Sequence, residues 1–285
     1  MIREAHSVEF EVRQMSPACG AEIIGIDLRQ QLQPETVAAI RDAWHKYHVV
    51  VFRDQELSDL DQIRFVGYLG SVGEYMRPKD LQESDNHPSV MMITNIRENG
   101  EPIGAVPDGE MMFHTDTTYA ENPHDATTLF AMQVTKDGGH TLFSNQYMVY
   151  DALPEKIKTT LADKQAMNVF EFGTAVKTKH RYDRSTSPHH PHPVFKRHPV
   201  TGRLAVFVCP LLTEEIIDFP EDKGEEILQL IYQYQERQEF ILEHVWQKGD
   251  FVMWDNRCLV HARTDFPRDQ TRQLRRVTML DEKLA

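Results

Sequence analysis

Hydrophobic positions fall in short bursts separated by turn-forming residues, a pattern of many short strands with a few helices between them. Val8 to Arg13 alternates apolar and polar residues and predicts a strand. Ala21 to Leu28 predicts a second. Pro34 then opens a helix whose Val37, Ile40 and Trp44 share one face. The β-branched run from His48 to Arg53 predicts a buried strand. Ser58 is placed to cap a second helix, which runs to about Leu69 with Leu60, Ile63, Phe65 and Val66 as its apolar side.

Further strands are expected at Val90 to Asn95, Thr127 to Val134, Thr141 to Ser144, Phe251 to Trp254 and Gln273 to Leu280. Glu98-Asn99-Gly100 and Gly138-Gly139 mark turns. Met148 to Asp163 reads as helical, restarted at Pro154. Glu225 to Glu243 predicts a longer helix with Ile227, Leu228, Ile231, Tyr234 and Phe240 as its stripe. Val194 to Pro210 reads as a hairpin turning at Pro199 to Gly202, with Leu204 to Val208 as its return strand. Thr174 to Pro193 is basic and aperiodic, and its Pro- and His-rich end, Ser187 to Pro193, reads as no regular element. A long insert of this kind predicts a lid or a loop. The expected architecture is mainly β with flanking helices, in one domain spanning residues 1–285.

Composition narrows the function. A net charge of −13 argues against a nucleic-acid partner, which would want a basic face. No apolar run approaches the length of about 18 residues that would span a membrane. Met1 to His6 is not followed by the apolar stretch of a secretory signal. Cys19, Cys209 and Cys258 are odd in number and widely spaced, as expected of reduced thiols in a cytoplasmic protein. A homo-oligomer, dimer or tetramer, is the expected assembly.

The candidate chemistry lies in His114-Thr115-Asp116 and the distant His261. Two imidazoles and one carboxylate are the ligand set of the facial triad, which leaves the other coordination positions of ferrous iron open. Residues two apart on a strand share a face, so His114 and Asp116 can serve one ion from a strand end. His261 would have to arrive from a facing strand. The chain holds 14 histidines, so one His-x-Asp pair means little alone. His124, His140, His180, His189, His190 and His192 are read as surface residues. Thr141, after the Gly-Gly turn, and Arg272, with Arg276 on the same strand face, strengthen the site. A guanidinium fork with a hydroxyl beside it suits the far carboxylate of a keto dicarboxylate. Two arginines aimed into a barrel would be costly without anions to meet them.

Five segments, in order, resemble the taurine dioxygenase / 2,4-dichlorophenoxyacetate dioxygenase (TauD/TfdA) family. They are Phe113 to Tyr119, Gly138 to Phe143, His198 to Arg203, Gly249 to Arg257 leading to His261, and Arg272 with Arg276. The resemblance covers about residues 8 to 281 and implies a double-stranded β-helix (jelly-roll) core. It implies that His114, Asp116 and His261 ligate Fe(II), and that Thr141 and Arg272 hold 2-oxoglutarate. Arg276 would face the substrate or the keto acid. Trp254 and Asn256 would shape the core and the turn before His261. The activity implied is hydroxylation of a small organic substrate, an anion such as a carboxylate or sulfonate, using O2 and releasing succinate and CO2. Taurine-acting members carry a histidine after an early Gly-Glu; here Gly73 to Pro78 has none, and Arg77 is the nearest candidate anion contact. The acidic, Met-rich stretch Asp108 to Met112 also hints at a pocket not built for a small sulfonate. Two other readings remain open at this point: a cupin-type metal dioxygenase that works without 2-oxoglutarate, and a non-catalytic barrel that binds a small carboxylate.

Overall fold

Successive residues of the apolar run after His48 face opposite ways, and that alternation sets the layering of the whole molecule. The computed structural model describes residues 10–74, 87–105, 108–171, 175–177 and 181–282. Its first half contains β1 (Glu11–Gln14), β2 (Ala21–Ile24), α1 (Pro34–Tyr47), β3 (Val49–Phe52), α2 (Asp59–Leu69), β4 (Gly70–Val72), β5 (Met91–Thr94), β6 (Arg97–Glu98), β7 (Glu101–Pro102), β8 (Met111–His114), β9 (Ala126–Gln133) and β10 (Thr141–Asn145). There follow α3 (Gln146–Ala152), α4 (Glu155–Leu161), β11 (Gln165–Val169), β12 (His189–Pro193), β13 (Phe195–Arg197), β14 (Leu204–Val206), β15 (Thr213–Ile216), α5 (Glu221–Gln235), β16 (Ile241–His244), β17 (Phe251–Asp255), β18 (Leu259–Arg263) and β19 (Gln273–Glu282).

The large sheet runs β1-β2-β3-β17-β9-β19-β4, with β5 also paired to β19. A second sheet runs β16-β10-β18-β8. Val49 and Val51 of β3, Val252 and Trp254 of β17, Leu129 and Ala131 of β9 and Leu274 of β19 share a core with Phe143 of β10 and Leu259 of β18. That core is the layer between the two sheets. Val50, Phe52, Phe251 and Met253 point the other way, onto Ile40 and Trp44 of α1 and Phe65 and Val66 of α2. The middle strands of the large sheet are thus covered on both faces and read as unbroken apolar runs rather than alternating ones. The rings of Phe52, Phe65 and Phe251 meet edge-on, with centroids 5.1 to 5.8 Å apart. Each such pair adds about 0.5–1.5 kcal/mol beyond its buried area.

Local signals explain the helix starts. Pro34 occupies the first turn of α1, where its missing N–H costs nothing. Ser58 forms a capping box with Asp61, which seals the entry to α2. Helices α3 and α4 flank Pro154 as expected.

Two expectations fail. His189–Pro193 is a strand, although the Pro-rich run looked irregular. It is the outer strand of a three-stranded sheet ordered β12-β11-β15, and an edge tolerates prolines because one side of it needs no donors. The helix expected over Glu225 to Glu243 starts earlier, at Glu221, and stops at Gln235. A 3-10 turn, Gln238–Phe240, then leads into β16. Of the expected lid at 174–193, Thr174 and His180 lie outside the described residues, as do Arg77 and the start of the first expected strand. No helix among the described residues is long and apolar enough to cross a membrane.

Candidate metal centre

β8 and β18 are antiparallel neighbours, and their register sets His114 directly opposite His261. The two imidazole centroids lie 4.1 Å apart. His261 therefore comes from the adjacent strand of the same sheet, not from a facing one. Asp116 also departs from the simple strand-end picture, because β8 stops at His114. The chain turns just beyond the carboxylate, where β-branched Thr117 adopts a φ of 57°, a conformation such residues rarely accept. The Thr117 hydroxyl accepts the backbone N–H of His124 at 2.9 Å, which helps hold this turn. Oδ1 of Asp116 comes to 4.0 Å from Nε2 of His114.

One donor atom from each of His114, Asp116 and His261 lies within 4.8 Å of the others. Metal bonds of about 2.0–2.2 Å place neighbouring donors roughly 3 Å apart, so small rotations close this set around one ion. The protonation states suit it. His114 Nδ1 donates to the Met112 carbonyl at 2.9 Å, which leaves the Nε2 lone pair turned inward. His261 Nδ1 is buried with no hydrogen-bond partner among the described residues. Burial lowers both imidazole pKa values; around His261, His114 adds to that effect and Asp116 opposes it. Burial alone would raise the Asp116 carboxyl, but Arg276, the two imidazoles and the Thr127 hydroxyl outweigh it and hold it well below the usual carboxylate range. Neutral imidazoles with an ionised carboxylate are the form that binds a divalent cation.

The expected arginines separate by face. Arg276 points to the site, with Nη2 at 3.0 Å from Asp116 Oδ1. Arg275 points away, donating to Gln62 Oε1 and the Leu57 carbonyl and pairing with Asp59 on the helical side. Arg272 is buried, and its Nε donates to the Gly139 carbonyl at 3.1 Å. Among the described residues no carboxylate pairs with it. Burial, with Arg263 nearby, brings its guanidinium down to about 9, still charged at neutral pH. Thr141 shares a strand face with Phe143, the register partner of His261. Its hydroxyl accepts Trp246 Nε1–H at 3.0 Å, which frees its own proton to donate. The Gly138-Gly139 turn joins the two: both glycines have a φ of 67°, and a Cβ on Gly139 would lie 3.1 Å from Arg272 Nε.

Sequence reasoning missed several contributors. Arg263, two residues after His261 and opposite Thr141, donates to the Gly109 and Asp108 carbonyls. Trp246 and Thr127 carried no signal beyond their residue types. Of two histidines read as surface residues, His192 is buried against the Ala120 carbonyl, and His124 has a buried Nδ1 with no hydrogen-bond partner among the described residues. A second cluster, His198, Asp255 and Cys258, resembles a ligand set in composition only. His198 Nδ1 accepts the Val200 and Thr201 amides, so Nε2 carries the proton and donates to Asp255 Oδ2 at 3.0 Å. Arg257 takes both Asp255 oxygens. No lone pair of this His–Asp pair is left for an ion. The cluster clamps the His198-Pro199 hairpin to the end of β17.

Residues 11–278 match the family model described as "Taurine catabolism dioxygenase TauD, TfdA family". The alpha-ketoglutarate-dependent 2,4-dichlorophenoxyacetate dioxygenase of Cupriavidus pinatubonensis is 27% identical over 95% of this chain and 98% of its own. The alpha-ketoglutarate-dependent sulfate ester dioxygenase of Pseudomonas putida is 29% identical over 97% of this chain and 91% of its own. Among solved structures, a taurine dioxygenase from Burkholderia xenovorans superposes with a TM-score of 0.79 at 28% identity, covering 95% of this chain and 90% of that one. The match over nearly the full length, on a two-sheet frame that brings two imidazoles and a carboxylate together, makes this chain a member of the TauD/TfdA family of dioxygenases.

Proposed function

We propose that this chain oxidises a small organic anion with Fe(II) held by His114, Asp116 and His261, and with 2-oxoglutarate and O2 as co-substrates. Iron and 2-oxoglutarate together supply the oxidation of an unactivated C–H bond, with succinate and CO2 as co-products. The protein binds, orients and screens. The observation that carries the reading is Arg272: a buried guanidinium, bonded to the Gly139 carbonyl two residues before Thr141, that no carboxylate among the described residues neutralises. The far carboxylate of 2-oxoglutarate is the anion it suits. A dioxygenase working without 2-oxoglutarate would have no use for that pair.

Arg276 lies at the metal end and is placed to meet a second anionic group, on the keto acid or on the substrate. The named relatives act on a dichlorophenoxyacetate and on sulfate esters, both anions. We take the same class for this chain. Residues 175–177 lie beside β8, where the Met112 amide donates to the Ala175 carbonyl at 3.0 Å, and we assign the segment 174–193 as the cover of the site. We read the whole chain as one domain. Three buried free cysteines fit a reducing, cytoplasmic setting, and a homo-oligomer remains our expected assembly.

The test is anaerobic titration with Fe(II) and 2-oxoglutarate, followed by a panel of aryloxyacids, sulfonates and sulfate esters scored by succinate release. A visible charge-transfer band that needs both additions is expected, and His261→Ala should abolish it. Absence of the band in the unaltered protein would end this reading.

A further inference from the structure

A one-way chain of hydrogen bonds ends on the metal-facing carboxylate. Trp254 Nε1 donates to Asn256 Oδ1 at 2.9 Å, Asn256 Nδ2 donates to Thr127 Oγ1 at 3.0 Å, and Thr127 Oγ1 donates to Asp116 Oδ2 at 2.5 Å. Its direction follows from the groups themselves. An indole N–H only donates, so the amide of Asn256 must turn its oxygen toward Trp254 and its NH2 toward Thr127. The Thr127 hydroxyl, accepting from that amide, has one proton left, and an ionised Asp116 only accepts. Trp254, Asn256 and Thr127 are each at most 1% exposed, so water does not compete for these bonds.

The chain also ties together the two segments that supply the triad. Thr127 sits on β9, eleven residues after Asp116. Asn256 sits in the turn between β17 and β18, just ahead of His261. The same turn is fastened by the Asn256 backbone N–H donating to the Asp125 carbonyl at 2.9 Å, and by the Thr115 hydroxyl donating to the Leu259 carbonyl at 3.0 Å.

We propose that Thr127 and Asn256 are positioning residues that hold Asp116 as a one-oxygen ligand. Thr127 keeps Oδ2 occupied, and Oδ1, the oxygen facing His114 Nε2, is the one presented to the ion. The inference rests on the iron-site reading above and adds to it the residues that keep the opposite coordination face open. Without the Thr127 proton, Oδ2 is free to turn onto the ion as a second donor or away from it.

Co(II), whose visible bands report coordination number, serves as the probe, titrated without 2-oxoglutarate. Thr127→Val keeps the shape and removes the proton, and should weaken Co(II) binding about ten- to a hundredfold and alter the bands. Thr127→Ser restores the hydroxyl and should restore both. Asn256→Asp keeps the side-chain outline but withdraws the amide donor, and should also weaken binding; it decides the matter if Thr127→Val does not fold. Wild-type affinity and spectrum in Thr127→Val, or in Asn256→Asp if Thr127→Val does not fold, would overturn the positioning role. Failure of the unaltered protein to bind Co(II) would instead overturn the site assignment itself. A purely structural role for Thr127 would lower the melting temperature of Thr127→Val while leaving its Co(II) affinity unchanged.

Discussion

Arg276 Nη2 lies 3.0 Å from Oδ1 of Asp116, the carboxylate oxygen that also faces His114 Nε2. A guanidinium and a divalent ion directed at one oxygen repel each other unless an anion lies between them. Metal and keto acid are therefore expected to bind cooperatively. Arg276→Gln removes the competing charge. It should bind Co(II) or Fe(II) at least as tightly as wild type when 2-oxoglutarate is absent. Its demand for 2-oxoglutarate should rise roughly tenfold or more, the size of one lost charge-assisted bond. Calorimetric metal titrations with and without the keto acid measure both; a variant that weakens metal binding alone would contradict this account.

Arg272 should matter to the keto acid and not to the metal. Among the described residues its guanidinium bonds to none of the three triad residues and donates to the Gly139 carbonyl. Arg272→Ala should leave Fe(II) affinity unchanged and raise the 2-oxoglutarate requirement by orders of magnitude. Arg272→Lys should recover little, because an ammonium does not reproduce the planar fork. Trp246→Phe, which frees the Thr141 hydroxyl to rotate, should raise the 2-oxoglutarate KM by a smaller factor, roughly the several-fold worth of one neutral hydrogen bond. Succinate release against 2-oxoglutarate concentration orders the three.

Gly139→Ala tests the same pocket through the backbone. The added Cβ would stand 2.8 Å from Thr135 Oγ1 and 3.1 Å from both Cδ and Nε of Arg272, at a φ of 67°. The variant should melt lower, by about 1 kcal/mol or more from the left-handed backbone alone, and should lose 2-oxoglutarate affinity while keeping metal affinity. Gly138→Ala meets the Asp265 carbonyl at 2.1 Å, against backbone that cannot swing aside, and should be the more destabilising of the two. Denaturant melts of both variants rank them.

Acidification should weaken the fold in two stages. Burial lowers His48 and His192 to about 4, against about 6.5 in the unfolded chain. The unfolded state binds the extra protons first, so stability is full above about pH 6.5 and declines as the pH falls toward 4. For Asp255, burial acts to raise the carboxyl, but Arg257 and His198 outweigh it and hold it far below the carboxylate range. Its contribution is complete above the unfolded carboxylate value of about 3.9 and is lost only below it. Melting temperatures measured from pH 8 to pH 3 should show both declines, and His48→Gln should flatten the first. A profile level from pH 7 to pH 4 would contradict the buried neutral imidazoles.

What the chain announced in advance was what side-chain type alone decides. His114, Asp116 and His261 could be singled out because few residue types offer ligand atoms, and the fold brings these three together; the Pro34 and Ser58 starts were legible because their chemistry is local. Position 116 shows the limit: its side chain was readable, but its support was not. That support comes from Thr127 on β9 and from Asn256 just after β17, neighbouring strands of the large sheet, which reach Asp116 only because the two sheets meet. The strand at His189–Pro193 was hidden for a related reason, since prolines disqualify a central strand but not an edge, and edge status belongs to the sheet rather than to the segment. Ile241–His244 continued the apolar period of α5 across a 3-10 turn that leaves no mark in a helical pattern.

Neighbouring arginines on β19 serve two opposite sides of the large sheet, Arg275 toward Gln62 and Asp59, Arg276 toward Asp116. Sliding that strand by a single residue would exchange them, delivering each cation to the wrong surroundings. Insertions or deletions between Arg272 and Thr278 should therefore be far less forgivable than most substitutions there. The alignment that lets the chain fold is the same alignment that aims it at its chemistry, so this stretch cannot drift in one respect without failing in the other.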